Sequence, residues 1–388
     1  MAEAPSPRAA LGRARRIVVK VGSKSLARDG GAGESVWLRL ARDLHAAAVG
    51  GGGRRAERQV VLVSSGAIAL GMDRLGMKRR PKDMAALQAA AATGQGLLMQ
   101  RWSEAFGTLG LPVAQVLLTH GDLASRTRAN NAKGALDELL GLGVVPIINE
   151  NDAVAVDEIK FGDNDELASM VTPLCGADLL VLLSDVAGLL DEAGVRVPLV
   201  HDVGREARHL ATDATSGLGR GGMHSKLEAV RRATLAGAHA VIASAAEPAV
   251  LPRLLAGEDL GTLFCARERR ISSRKHWIAF TLRPRGAALL DVGAAEAIVH
   301  AGRSVLTVGV VGVRGNFVSG DAIGLYTLDG VEIGRGLARL SAADAARLAG
   351  GHGAALPRDR ASAQPHPPEA DRAEVLVHRD DLVLLDEA

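Results

Sequence analysis

Short apolar runs that end abruptly in polar residues alternate, over residues 16–282, with longer stretches whose apolar positions recur at helical spacing. The runs at residues 16–21, 59–64, 112–118, 144–148, 178–184 and 240–244 are rich in Val, Ile and Leu. Each reads as a strand buried on both faces. Between them, Trp37, Leu38, Leu40, Ala41, Leu44 and Ala48 share one helical face, and Leu167, Met170, Val171 and Leu174 share another. Residues 84–106 and 129–142 also predict helices, the first Ala-rich with a Met and Leu stripe that suits packing. Repeated strand–helix units of this kind predict an α/β, three-layer αβα sandwich with a mainly parallel sheet. Residues 261–266 and 276–282 read as closing strands.

Pro284-Arg285-Gly286 marks a change of texture. Beyond it a short helix at 293–301 precedes Gly- and Val-rich short strands at 305–313 and 322–327, as in a small β-barrel. Residues 356–373, rich in Pro, Ala and charge, predict a mobile loop before a last strand at 374–378. The domains expected are thus 16–283 and 286–388, after a disordered tail at 1–15. The glycine run at 50–53, with Arg54 and Arg55, reads as a flexible loop insertion.

The chemistry concentrates where the strands end. The run at 144–148 stops at Asn149-Glu150-Asn151-Asp152, where a parallel strand releases its carboxyl end into a ligand crevice. Gly162-Asp163-Asn164-Asp165 then opens a helix, with Asp163 and Glu166 spaced as a capping box. Either piece alone is satisfied by capping; together they cluster more carboxylates and amides than capping needs. Such a cluster suits an amino group, a nucleotide-bound metal or a lysine that must be held still. Lys20 lies inside an apolar run, where a lysine is costly unless it points into a site or snorkels from an edge. The Gly22-Ser23 turn after it could offer backbone N–H groups to phosphate, although it is no Walker loop. Ser65-Gly66-Ala67 lies at a helix N-terminus, which favours a carboxylate or phosphate; a plain Ser65 N-cap is the alternative. Residues 216–226 form a glycine-rich loop entering a helix. Lys226 near the positive end of that helix is unfavourable unless an anion sits there.

Composition narrows the class. Apolar residues make up 47% of the chain but aromatics only 2%, so the core must be Ala, Val and Leu. The net charge of +2 is too small to imply a polyanionic partner by itself, and residues 286–388 carry 14 acidic against 9 basic side chains. That balance argues against RNA binding by the tail, because phosphate contacts supply most nucleic-acid affinity. Cys175 and Cys265 have no metal spacing and fit buried thiols in a reducing cytosol. No apolar run reaches membrane-spanning length.

Six motifs in order complete the picture: Lys20-Val-Gly22-Ser23, Ser65-Gly66-Ala67, Asn149-Glu150-Asn151-Asp152-Ala153-Val154, Gly162-Asp163-Asn164-Asp165, Ser184-Asp185 and Gly221-Gly222-Met223-His224-Ser225-Lys226. The ordered set resembles the glutamate 5-kinase family of the amino acid kinase superfamily over residues 16–282. The tail, with Gly315-Asn316-Phe317 and Val377-His378-Arg379-Asp380-Asp381-Leu382, is similar to a PUA domain. The resemblance implies ATP-dependent phosphorylation of the γ-carboxylate of L-glutamate, with Mg²⁺ carried mainly by the nucleotide. It implies catalytic roles for Lys20, Lys226 and Asp165, and glutamate binding by Ser65, Gly66, Ala67, Asp152 and Asn164. ATP contacts would come from Lys20, Gly22, Ser23, Ser184, Asp185, Arg220, Gly221, Gly222, Met223, His224, Ser225 and Lys226. Residues 155–162 would be a lid. Feedback inhibition by proline, a homodimer or homotetramer, and a reductase consuming glutamyl phosphate are implied as well.

Three positions depart from the family pattern. Lys24 replaces a second small hydroxyl residue, Arg220 enters the glycine loop, and residues 356–373 replace an ordered piece of the barrel. The competing readings are an N-acetylglutamate kinase, whose family shows a double glycine where this chain has Gly22-Ser23, and, more weakly, a UMP kinase. An RNA-binding protein on a kinase scaffold is the reading from another class.

Overall fold

The computed structural model describes residues 6–26, 35–49, 58–154, 164–210, 222–267, 271–349 and 374–385. The chain divides into two units, Met1–Arg270 and Ile271–Ala388.

The first unit is built on an eight-stranded sheet: β1 (Arg16–Val21), β2 (Gln59–Ser64), β3 (Val113–Leu118), β4 (Val145–Glu150), β5 (Leu179–Ser184), β6 (Leu199–Val200), β7 (His239–Ser244) and β8 (Thr262–Phe264). Their spatial order is β3-β4-β2-β1-β5-β7-β8-β6. Every pairing is parallel except β7 with β8. The side-chain period of two sorts each strand between two cores. Val19, Val21, Leu62, Ile147, Val181 and Leu183 enter one core; Val18, Val61, Val63, Ile148, Leu180 and Leu182 enter the other. The first core is closed by the Val36–Val49, Met84–Gly107 and Val250–Leu255 helices. The second is closed by the Arg126–Gly141, Asn164–Leu174 and Met223–Leu235 helices. This is the three-layer sandwich expected.

Strand order reverses at β1, because the chain moves from β1 to β2 on one side and later returns to place β5 on the other. A crevice at the carboxyl ends of β1, β2, β4 and β5 follows from that topology. Lys20 has the parity of Val18. It therefore emerges on the face covered by the Asn164–Leu174 and Met223–Leu235 helices.

Two glycines bring another helix close to this crevice. A Cβ at Gly71 would overlap the Ala90 carbonyl, and one at Gly94 would overlap that of Ala67. The Ala67–Arg74 helix thus packs backbone to backbone on the Met84–Gly107 helix. Gly66, at φ 117°, makes the turn between β2 and that helix, a conformation that penalises any Cβ.

Two expectations are corrected. Residues 6–15 are not a disordered tail. Pro7–Arg13 is a 3-10 helix, Leu11 is fully buried, and the Arg8 guanidinium donates to the carbonyls of Glu258, Leu260, Pro198 and Gly261. An arginine satisfied by carbonyls some 250 residues away leaves no local trace. Residues 276–282 are not a closing strand. Ser272 caps the Ser273–His276 helix by accepting from the Lys275 N–H, and Trp277–Thr281 continues as a wider π-type turn. The compact units therefore divide at residues 270/271, ahead of Pro284-Arg285-Gly286. The expected loops at 50–55 and 356–373, and the expected lid at 155–162, lie outside the described residues.

In the second unit, β9 (Gly286–Leu290), β10 (Val305–Leu306), β11 (Val310–Gly315), β12 (Ala322–Tyr326), β13 (Glu332–Ala338) and β14 (Val375–Leu384) form one six-stranded sheet in the order β10-β14-β13-β12-β9-β11. Only β9 and β12 pair in parallel. Leu290, Phe317, Ile323, Leu325, Leu376 and Val377 lie in its core. The helical segment after Ser272 belongs here. Arg335 donates to the Ala279 carbonyl at 2.8 Å, and Arg274 pairs with Asp381 at 2.6 Å.

Candidate active site

Asp165 stands in the first turn of the Asn164–Leu174 helix and is fully buried. Its Oδ1 lies 2.6 Å from Lys20 Nζ and its Oδ2 lies 3.1 Å from Lys226 Nζ. Lys20 comes from β1 and Lys226 from the first turns of the Met223–Leu235 helix; both are buried. One carboxylate thus bridges two ammonium groups brought in by three separate elements. Burial alone would push the Asp165 pKa up, but Lys20 and Lys226 outweigh it and hold the group below the usual carboxylate range. The triad carries a net positive charge in a desolvated setting. Asp165 is also the anion that makes a lysine tolerable near the start of the Met223–Leu235 helix.

The expected capping box of Asp163 and Glu166 lies partly outside the described residues, since Asp163 is not among them. Glu166 accepts from Arg232 at 2.7 Å, tying the helix of Asp165 to the helix of Lys226.

Beside the triad lies a pole of amides and hydroxyls. Asn164 Nδ2 donates to Ser65 Oγ at 2.8 Å and to Asn149 Oδ1 at 2.9 Å. Asn149 Nδ2 in turn donates to Gln95 Oε1 at 2.9 Å. Asp152 follows β4 and is partly buried. Burial pushes its carboxyl up to about 6, against a smaller opposing influence of Arg80. Behind this pole, Trp102 Nε1 donates to Ser64 Oγ at 2.9 Å and secures the end of β2.

At the end of β5, Ser184 donates to Asp185 Oδ1 at 3.0 Å, and Lys24 Nζ reaches Asp185 Oδ2 at 3.5 Å. Burial raises the Asp185 pKa, but Ser184, a backbone N–H and Lys24 together hold it low. Gly22 donates its N–H to the Leu183 carbonyl at 3.3 Å, so that group is committed to the sheet and not available to a phosphate. Ser23 opens a short helix, Ser23–Leu26. Gly222 caps the helix holding Met223, His224, Ser225 and Lys226, while Arg220 and Gly221 lie outside the described residues.

The strand ends expected to gather do gather: Lys20, Asp165 and Lys226 meet, and Ser65 meets Asn164. Gln95 and Asn149 join them although the residue-by-residue reading assigned neither to the site. Asn149 left a signal, an amide ending a buried strand. Gln95 left none, because Thr93-Gly94-Gln95 reads as the interior of a packing helix.

Residues 15–244 match the amino acid kinase family model, and residues 286–359 match the PUA domain model. A glutamate 5-kinase of Myxococcus xanthus is 45% identical over 99% of this chain and 100% of its own length. One from Thermus thermophilus is 46% identical over 97% of this chain and 98% of its own. The chain belongs to the glutamate 5-kinase family. Among solved structures, the carbamate kinase of Giardia aligns with 65% of this chain and 99% of its own at 17% identity and a TM-score of 0.47. As in other glutamate 5-kinases of matching length, the aligned region spans both units. Among the described residues no helix is long and apolar enough to cross a membrane.

Proposed function

We infer that this site transfers the γ-phosphoryl group of ATP to the γ-carboxylate of L-glutamate, giving L-glutamyl 5-phosphate for proline biosynthesis. The observation that carries the reading is the buried Lys20–Asp165–Lys226 triad set against an acid-and-amide pole.

The γ-carboxylate titrates near pH ~4.3, so it is already ionised at neutral pH and needs no general base. A carboxylate oxygen attacks the γ-phosphorus, the bond to the β,γ-bridging oxygen breaks, and ADP departs with that electron pair. What must be overcome is repulsion between the anionic nucleophile and the triphosphate. Lys20 and Lys226 supply compact positive charge to the oxygens of the transferring group, and Mg²⁺ arrives with the nucleotide. Asp165 holds both ammonium groups in place, so their arrangement needs little reorganisation in the transition state.

Asp152 pairs with the substrate ammonium, Ser65 and Asn164 lie beside it, and Gly66 and Ala67 line the same helix start. An anionic partner for a free ammonium favours glutamate over its N-acylated analogue, which has no charge to offer. The nucleotide lies toward Ser184, Asp185 and the 220–226 segment. Proline acts as a feedback inhibitor at or beside the glutamate site, the chain works as a homo-oligomer, and a reductase consumes the labile acyl phosphate. Free Cys175 and Cys265 suit a reducing, cytoplasmic setting.

The test is trapping of the acyl phosphate by hydroxylamine with Mg-ATP. Hydroxamate forms with L-glutamate and not with N-acetylglutamate; the reverse pattern would overturn the reading.

A further inference from the structure

Asn164 uses its amide nitrogen twice, toward Ser65 Oγ and Asn149 Oδ1. What it can offer a substrate is therefore its Oδ1, an acceptor. That is the polarity an ammonium group requires, and it agrees with the charge of Asp152, three residues after Asn149. A terminal amide is nearly symmetric in shape, however. Turned over, Asn164 would present N–H groups to the same place and repel a cation. Its orientation is held by the groups it meets.

The chain of amides shows how. With Asn149 Oδ1 occupied by Asn164, Asn149 Nδ2 points the other way and needs an acceptor. It finds Gln95 Oε1 at 2.9 Å. Reversing one amide alone would set donor against donor or acceptor against acceptor at the buried contacts, so the three keep one sense together. Asn149 and Asn164 are buried, which makes such a mismatch costly. Gln95 Nε2 is also buried and has no hydrogen-bond partner among the described residues. The unmet donor marks Gln95 as the end of the chain.

We propose that Gln95 is a positioning residue for substrate selection: through Asn149 it holds the Asn164 amide with its carbonyl oxygen toward the ammonium of the substrate. The inference rests on the assignment of Ser65, Asn164 and Asp152 to the glutamate site. Gln95 touches no reacting atom. Its contribution is direction, so it acts on recognition of the amine and not on phosphoryl transfer.

The test compares Gln95→Leu, Gln95→Met and Gln95→Glu in the full-length enzyme. Leu and Met remove the acceptor; Glu keeps an acceptor oxygen at the same place. The two apolar variants raise the KM for L-glutamate about tenfold, leave kcat and the KM for ATP near wild type, and narrow the preference for L-glutamate over glutarate, which has the same carboxylates and no amine. Gln95→Glu retains the wild-type KM and that preference, even where its thermal stability is lower. Equal impairment in all three variants with unchanged selectivity would overturn the proposal in favour of a packing role. Wild-type KM and selectivity in Gln95→Leu and Gln95→Met would overturn it as well. Failure of the underlying assignment is separately visible: Asn164→Ala and Ser65→Ala would then leave the KM for L-glutamate unchanged.

Discussion

Asn164 and Asp165 are adjacent at the start of one helix, are both buried, and anchor two poles that hold their partners by different means. Asp165 sits between two ammonium groups at 2.6 and 3.1 Å, with its charge held by theirs. Asn164 is neutral and belongs to a run of amides and a hydroxyl that ends at Gln95. The charged pole is preorganised by mutual attraction and needs no substrate to complete it. The recognition pole is incomplete. Asp152 has its carboxyl pushed up to about 6 by burial, as expected of a carboxylate awaiting a cation. With the roles proposed above, catalysis and recognition would be separated within one turn of helix, which predicts that mutations sort cleanly between kcat and KM.

The largest effect is expected at the charged pole. Asp165→Asn leaves two buried lysines without their anion, and breaking a buried pair costs about 3–5 kcal/mol. Loss of preorganised charge at the transferring group costs about 10²- to 10³-fold in rate, so kcat should fall by about that much, with the KM for glutamate within a few-fold of wild type. The pH dependence of stability has a definite sign. A carboxyl with a depressed folded pKa stabilises the fold above its unfolded value near ~3.9 and loses that contribution as pH falls through the folded value. Acid unfolding of the Asn variant should be shallower below about pH 4. Steady-state kinetics and acid titration of the folded protein check both, and an equal rise in KM and fall in kcat would blur the two poles.

The recognition pole should respond in KM. Asp152→Asn removes the charge opposite the ammonium, which at about 1.5–3 kcal/mol for a charged hydrogen bond raises the KM for glutamate roughly 10- to 100-fold. Kcat at saturating glutamate should hold. In the wild type, protonation of Asp152 below about pH 6 removes the competent form. At pH 5 only about a tenth of the enzyme would carry the anion, so KM should rise about tenfold there. The variant should lose that slope. Stability has the opposite sense to that at Asp165. A carboxyl raised in the fold contributes stability below its unfolded value and loses it as pH rises through about 6, so Asp152→Asn should melt no lower than wild type at neutral pH. A KM that is flat between pH 5 and 8 in the wild type would break this side of the comparison.

The two poles were not equally legible from residues alone. A lysine inside an apolar strand is conspicuous because burial makes it costly, so Lys20 stood out before any partner was known. Asp165 did not, since a helix-capping acid is ordinary; only the ordered motifs singled it out. Gln95 was invisible because its meaning depends on Asn149, which arrives 54 positions later on a strand. The sheet was readable for the same reason as Lys20: parallel strands buried on both faces leave continuous apolar runs. The segment around Trp277–Phe280 misled by that logic, since an apolar aromatic run has strand character whatever its fate. Its helical signal, Ser272 three residues before Lys275, is short and local. The Arg8 anchor depends on carbonyls of residues 198 and 258–261, which no local pattern reveals.

The misread segment gives a smaller, structural prediction. A chain ending at Arg270 should retain kcat within several-fold of the full protein, since every residue assigned to either pole precedes that point. A chain ending at Pro284 keeps the helical segment after Ser272 but loses the second-unit core around it. Ile278, Ala279 and Phe280, all buried in the whole protein, would then be exposed. The longer fragment should therefore be the less soluble of the two, measured by sedimentation of the purified fragments. Better behaviour of the longer fragment would place the helical segment with the first unit.

The smallest effect is expected at Lys24, which belongs to neither pole. Its ammonium is 3.5 Å from Asp185 Oδ2, and its side chain is 56% exposed. An ion pair so open to water contributes at most about 1 kcal/mol, and salt screens it. Asp185 keeps Ser184 and a backbone N–H when Lys24 is gone, so its side chain does not lose its place. Two influences on a nucleotide then act in the same direction. Removing Lys24 deletes a cation near the strand ends proposed to hold the triphosphate, and it also frees Asp185 to repel that triphosphate more strongly. Both weaken nucleotide binding, but through exposed charges, so Lys24→Ser should raise the KM for ATP about two- to threefold at low salt. Near 0.5 M salt the difference should vanish, because the screening length is then only a few ångströms. The KM for glutamate and kcat should not move. A tenfold change in the KM for ATP that persists at high salt would mean that Lys24 touches the nucleotide directly, and the site would then have a third pole.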